Sequence, residues 1–155
     1  MVSFELVESK AQPPESAAEL LAVWHRFHAD GKGPTRKDFT PFVLKPWLGN
    51  LDVYEVEEAG ADGGLDFRMR LNGTEVVALT GEDWTGKTAR DIDRHFDLTF
   101  HEELLSVYRG KQPVAQRIRI FQKDHLTAYR LMLPVFSETR DGTVAQIFLA
   151  IFEEI

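Results

Sequence analysis

Residues 65–87 read LDFRMRLNGTEVVALTGEDWTGK, and the fold turns on them. Leu65, Phe67, Met69 and Leu71 alternate with Asp66, Arg68 and Arg70. A period of two marks a strand with one buried and one wet face. Asn72-Gly73 ends that strand and admits two readings. Asn-Gly between apolar runs is a hairpin signal. Asn72 with Glu75 three residues on also fits a capped helix start, giving a short helix over residues 74–79 that lies across the strand.

The same stretch carries Gly81-Glu82-Asp83-Trp84-Thr85-Gly86-Lys87-Thr88, which fits the phosphate-loop pattern G-x-x-x-x-G-K-[ST] from Gly81 to Thr88. Such a loop works by closing bare backbone N–H groups around phosphates. Glu82 and Asp83 would repel phosphate oxygens, and the Trp84 indole would crowd a tight wrap. The apolar run 147–152 ends in Glu153 and Glu154, with no metal-binding Asp. A tight surface turn is therefore the expectation, and nucleotide binding through these residues is the minor alternative.

The 155-residue length suits one domain with a core that needs no staples. Hydrophobic content of 43% and aromatic content of 11% place the chain with globular rather than disordered proteins. A formal net charge of −7 argues against nucleic acid or an anionic membrane as a partner. The absence of Cys excludes disulfides, a thiolate nucleophile and Cys-based zinc sites. No apolar run is long enough to span a membrane and residues 1–10 lack a signal-peptide layout, so the cytoplasm is the expected location.

Residues 1–15 read as a lead-in arm. Ser16 and Glu19 form a capping-box pattern, and Leu20, Leu21, Trp24 and Phe27 recur at helical spacing. That helix and its Pro-punctuated connection occupy residues 16–45, and the main domain occupies 46–155. Residues 48–56 read as a strand, 88–94 as irregular, and 96–108 as a helix stopped by Gly110. Strands follow over 114–121, 129–136 and 144–152, the last apolar on both faces like a covered central strand. Asp141-Gly142 makes the final hairpin turn. The class is α+β: an antiparallel sheet with helices on one face and an N-terminal amphipathic helix.

That order of elements resembles the PAS domain. Four runs carry a narrower likeness to small, mostly single-domain bacterial PAS-like proteins, across residues 38–152. They are Pro46-Trp47-Leu48-Gly49, the strand exit from Phe67 to Thr74, the turn from Gly81 to Gly86, and Arg130-Leu131-Met132-Leu133-Pro134. The resemblance implies a five-stranded sheet in spatial order 2-1-5-4-3, a helix rather than a hairpin after Gly73, and a turn in place of the phosphate loop. Flavin and coumaroyl photosensors of this fold need a Cys and so do not fit. Haem would need an axial ligand such as His95 or His101, and the cofactor is left unknown.

PAS-like folds hold small molecules between sheet and helices or pack that space. The expected walls are Phe67, Met69, Leu79, Trp84, Phe96, Phe100, Leu104, Ile118, Leu131 and Leu133, with Gln116 and Tyr129 supplying polar contacts. The same residues would equally make a filled core. His25 and His28, and the acidic group around Asp91 and Asp93, lack a complete metal-ligand set, so no metal site is expected. No Ser has a nucleophile-elbow context, and no catalytic residues are expected.

Arg68, Arg70, Arg117, Arg119 and Arg130 all read as pointing outward, which would give an acidic protein a basic sheet face. The helix stripe of Leu20, Leu21, Trp24 and Phe27 together with Arg117, Arg119 and Arg130 is the expected homodimer interface. The function expected is a non-catalytic sensory or signalling module. It would bind a small apolar or amphipathic ligand or a protein partner, act through dimerisation and pass its signal to a separate protein. A structural interaction domain with a filled core is the alternative.

Overall fold

The alternation at residues 65–71 forms a strand, and the Asn72-Gly73 step opens a helix rather than a hairpin. The computed structural model describes residues 4–7, 13–58, 64–96, 98–120 and 127–154, with 4–7, 119 and 120 described by backbone alone. The strands are β1 (Phe4–Val7), β2 (Leu51–Glu58), β3 (Leu65–Leu71), β4 (Val114–Ile120), β5 (Thr127–Phe136) and β6 (Val144–Glu154). The helices are α1 (Glu15–Phe27), α2 (Pro41–Leu44), α3 (Thr74–Thr80), α4 (Ala89–Phe96) and α5 (Phe100–Gly110), with a 3₁₀ turn over Lys45–Asn50.

All strand pairs are antiparallel, in the order β1-β4-β5-β6-β2-β3. Strands β2 to β6, counted in chain order, therefore lie second, first, fifth, fourth, third, as expected. Strand β1 is an addition: part of the lead-in arm pairs with the outer edge of β4, Phe4 opposite Ile120 and Val7 opposite Arg117. The far edge, β3, is met by the turn before α4. Met69 N donates to Lys87 O at 2.9 Å and Gly86 N donates to Met69 O at 2.8 Å.

The register sorts side chains onto two faces. Tyr54, Phe67, Met69 and Arg130 lie under α3, α4 and α5, with Tyr54 against Phe100 at 5.4 Å and Phe67 against Tyr108 at 6.4 Å. Leu131, Leu133, Phe148 and Ala150 form the reverse face, where Phe39 packs on Phe148 at 5.1 Å. Helix α1 lies on this reverse face, its Trp24 indole N–H donating to Pro134 O at 2.8 Å. The apolar character of β6 on both faces has this cause: it is a central strand with helices on either side.

The α1 stripe is accordingly not an uncovered one, which corrects the sequence expectation. Leu20 and Trp24 are fully buried in the chain's own core, and Leu21 and Phe27 are half-buried. An apolar reverse face would otherwise stand in water, and α1 removes it. The Ser16 capping box is not used either. The helix starts one residue earlier, and Ser16 Oγ and O both accept the Trp47 indole N–H.

Residues 89–96 are helical rather than irregular. Thr88 Oγ1 accepts Asp91 N at 3.2 Å while Asp91 Oδ2 accepts Thr88 N at 3.1 Å, a reciprocal cap. Asn72 does not cap α3; Gly73 is the N-cap residue and makes no side-chain cap. Gly73 is required there for space. A Cβ on it would stand 2.5 Å from Gly49 O and 2.8 Å from Leu51 N, both backbone atoms. Gly73→Ala is expected to lower the unfolding free energy by about 2 kcal/mol through that overlap, measurable as a shifted urea midpoint with unchanged slope. A midpoint equal to the parent's would show that the α3 start yields freely. Among the described residues no helix is long and apolar enough to cross a membrane.

Candidate functional site

Between the sheet and the α3–α5 layer lies a partly enclosed cavity of about 90 Å³. Its floor comes from four strands: Asp52 and Tyr54 on β2, Met69 on β3, Arg130 on β5, and Leu149 and Ile151 on β6. Its roof comes from Val76 and Thr80 on α3, Ile92 on α4, and the run Leu98, Thr99 and Phe100, with Asn72, Glu82, Trp84 and Glu103 completing the wall.

Local sequence fixes these positions. Asp93 Oδ1 and Oδ2 accept Phe100 N and His101 N at 2.8 and 2.9 Å, so α4 caps the start of α5 and sets Phe100 over the floor. Burial pushes the Asp93 carboxyl up against the lowering effect of those two bonds. Asn72 ties the opposite wall. Its Nδ2 donates to Asp52 Oδ1 at 2.7 Å, and its Oδ1 accepts Trp84 N at 3.1 Å. The Trp84 indole N–H donates to Glu82 at 2.7 Å, which orients the ring.

Two buried ionisable groups dominate the floor. Asp52 is 4% exposed, and its Oδ1 also accepts Gly73 N at 2.9 Å. Burial outweighs these bonds and pushes its pKa from 3.8 up to about 7. Arg130 is 1% exposed, bonds to Gln116 Oε1, and pairs with Glu103 at 3.0 Å. Burial pulls its guanidinium below the ordinary value, opposed by Glu103. Burial likewise pushes the Tyr54 phenol well above its ordinary value, with the charge of Asp52 adding to the effect.

Of the wall residues expected from sequence, Met69, Trp84 and Phe100 line the cavity. Phe67, Leu79, Leu104 and Ile118 are core on the same side, and Phe96 packs edge-on against Trp84 at 5.2 Å. Gln116 touches the site through Arg130. Tyr129, Leu131 and Leu133 belong to the reverse face, which removes them from this cavity. Tyr129 instead meets the Arg117 guanidinium at 5.1 Å.

Arg130 is the correction with most consequence: it points into the helix side, not outward. Both faces of β5 are buried, so a charge there could not reveal which side was wet. The other strand arginines form cross-strand pairs, Arg68 with Glu57 at 2.7 Å, Arg70 with Glu55 at 3.1 Å and Arg117 with Glu154 at 2.9 Å. The Arg119 side chain lies outside the described residues. Asp52 and Tyr54 were missed; the pairing of Asp52 with Asn72 joins residues far apart in sequence and leaves no local signal.

The Gly81 to Thr88 segment is not a phosphate loop. It links helix α3 to helix α4, not a strand to a helix. Most of its N–H groups are already committed: Gly81 N to Val77, Trp84 N to Asn72, Thr85 N to Asp83, Gly86 N to Met69, Lys87 N to Trp84 and Thr88 N to Asp91. A cradle needs those donors turned toward an anion. Among the described residues no group of three or more His, Asp or Glu side chains is placed to hold a metal ion.

A family model described as "PAS domain" matches residues 12–148. No curated protein matches the chain. Among solved structures, the chain is similar to one titled "Structure of an RNA-binding Light-Oxygen-Voltage Receptor", with a TM-score of 0.47 and 15% identity over 99% of this chain. The match covers 39% of that receptor's chain.

Proposed function

The chain belongs to the PAS domain family, and we propose that it is a sensory module whose input is a small amphipathic molecule held between the sheet and α3–α5. The observation that carries this reading is the cavity itself. It joins an apolar wall of Met69, Val76, Trp84, Phe100 and Leu149 to a buried polar floor of Asp52, Tyr54 and Arg130. Ligand sites have this composition: mostly apolar lining with a few placed polar groups. A buried acid and a buried base each cost desolvation energy, and their placement on the cavity floor supports a binding role beyond the bonds they make within the fold.

The size limits the ligand. Pockets for drug-sized molecules run to about 300 Å³ and more, so about 90 Å³ favours something much smaller. No acid–base pair poised over a reactive centre is required by this reading, and the module acts by binding. Output is assigned to association with a second copy or with a separate signalling protein. Phe42 on α2, 86% exposed, is an apolar side chain left for such a contact.

The test is retention of a small mass in native mass spectrometry, compared with Val76→Phe. Val76 lines the cavity and is buried, so the larger ring fills the space. The expected result is a retained mass in the parent and none in the variant, with the variant's melting temperature within a few degrees of the parent's. A parent that never carries a mass, from several expression hosts or after soaking with metabolite extract, would leave the filled-core alternative in its place.

A further inference from the structure

The cavity floor carries two side-chain oxygens, on buried residues, that take no hydrogen bond from the described residues and so face the cavity. Asp52 Oδ1 takes both hydrogen bonds made to that carboxyl, from Gly73 N and Asn72 Nδ2, and Oδ2 takes none among the described residues. The Tyr54 hydroxyl likewise makes no hydrogen bond among the described residues. Both side chains are nine-tenths or more buried and both line the cavity. They stand two positions apart on β2, so they project from the same side of the sheet.

The charges around them have a sign. The lining carries Asp52, Glu82 and Glu103 against Arg130, and Arg130 is held by Glu103 at 3.0 Å. Acids outnumber the one arginine in this lining, so a carboxylate or phosphate ligand would enter against a net negative charge. A cation would instead meet a desolvated carboxyl oxygen, whose burial energy it offsets, and the faces of Trp84, Phe100 and Tyr54.

Resting on the reading that the cavity holds a ligand, we propose that the ligand is a small alkylammonium ion, its nitrogen donating to Asp52 Oδ2 and the Tyr54 hydroxyl and its carbons lying against Trp84 and Phe100. Scaled from the roughly 150 Å³ cavity that holds benzene, the space takes about four non-hydrogen atoms. Propylammonium is of that size.

The experiment is a calorimetric titration of the full chain, near neutral pH, with propylammonium, propan-1-ol and propionate. These share a carbon skeleton and differ in charge. Saturable binding is expected for propylammonium alone. Asp52→Asn should weaken it by about ten- to a hundredfold, the loss of one charge-assisted hydrogen bond. Tyr54→Phe keeps the ring packing, and should weaken binding several-fold with the melting temperature preserved. Propionate or propan-1-ol binding as well as the amine would overturn the cation assignment and leave the wider ligand reading intact. So would equal amine affinity in parent and Asp52→Asn, or a retained mass in native spectrometry with no response to the amine. Absence of any retained mass is the separate result that removes the wider reading.

Discussion

Asp52→Asn is expected to raise stability by up to about 4 kcal/mol at about pH 8 and to leave it nearly unchanged at about pH 4. The folded carboxyl has its pKa pushed to about 7 from an ordinary 3.8, so folding favours the neutral acid. The stabilisation this group contributes is complete below pH 3.8 and is lost as pH rises toward 7, where the unfolded chain has ionised and the folded chain has not. Above 7 the loss is constant. Asparagine has no charge to desolvate at any pH, and its Oδ1 can still accept Gly73 N and Asn72 Nδ2. The ceiling is the span from 3.8 to about 7 at about 1.4 kcal/mol per pH unit. Asp83 contributes to the upward push by repulsion, so Asp83→Asn should narrow the window slightly. Urea unfolding of parent and variant across this range supplies the measurement. Two stability curves running parallel from pH 4 to pH 8 would mean that Asp52 ionises normally in the folded chain.

Trp24→Ala is expected to cost about 3–5 kcal/mol, enough to unfold much of a marginal domain. The indole is fully buried, stacks on His28 at 4.4 Å and donates to Pro134 O on β5. Removing it opens a cavity between α1 and the sheet and strands a buried carbonyl. Trp24→Phe retains most of the ring area but leaves Pro134 O equally unpaired, so its cost should be about 2 kcal/mol. The contrast with an intermolecular role is direct. An interface residue would change the sedimentation mass and make the melting temperature depend on protein concentration. A core residue changes stability at every concentration, and that is the outcome expected here.

What the sequence disclosed follows from where two-faced burial begins and ends. Strand β3 was legible because Asp66, Arg68 and Arg70 alternate with Leu65, Phe67 and Met69 at an edge of the sheet. Strands β5 and β6 were legible as strands, but not as to facing, since nearly every position in them is buried. Arg130 therefore looked like a solvent-facing charge and Leu131 like a cavity wall, the reverse of their placement. Helix α4 had a readable start in Thr88 and Asp91, masked by a polar composition in which only Ala89 and Ile92 are buried. Asp52 lay hidden in the apolar run Leu51 to Tyr54, where a single acid suggests an outward position. Its partner Asn72 is brought to it only by the pairing of β2 with β3. Long-range pairing of polar groups leaves no period to read.

The pairing of β1 with β4, and of residues 86–88 with β3, has a consequence for how copies of the chain behave in a crowded solution. An open strand edge is a template on which another chain can grow a continuous β-sheet, the first step toward fibrils. Here the two outermost strands of the five-stranded core each meet backbone from the same molecule, and the added strand at one side is only four residues long. Edge-to-edge growth is thereby hindered at β3 by the turn backbone, and at the other rim the outer edge offered is that of the four-residue β1.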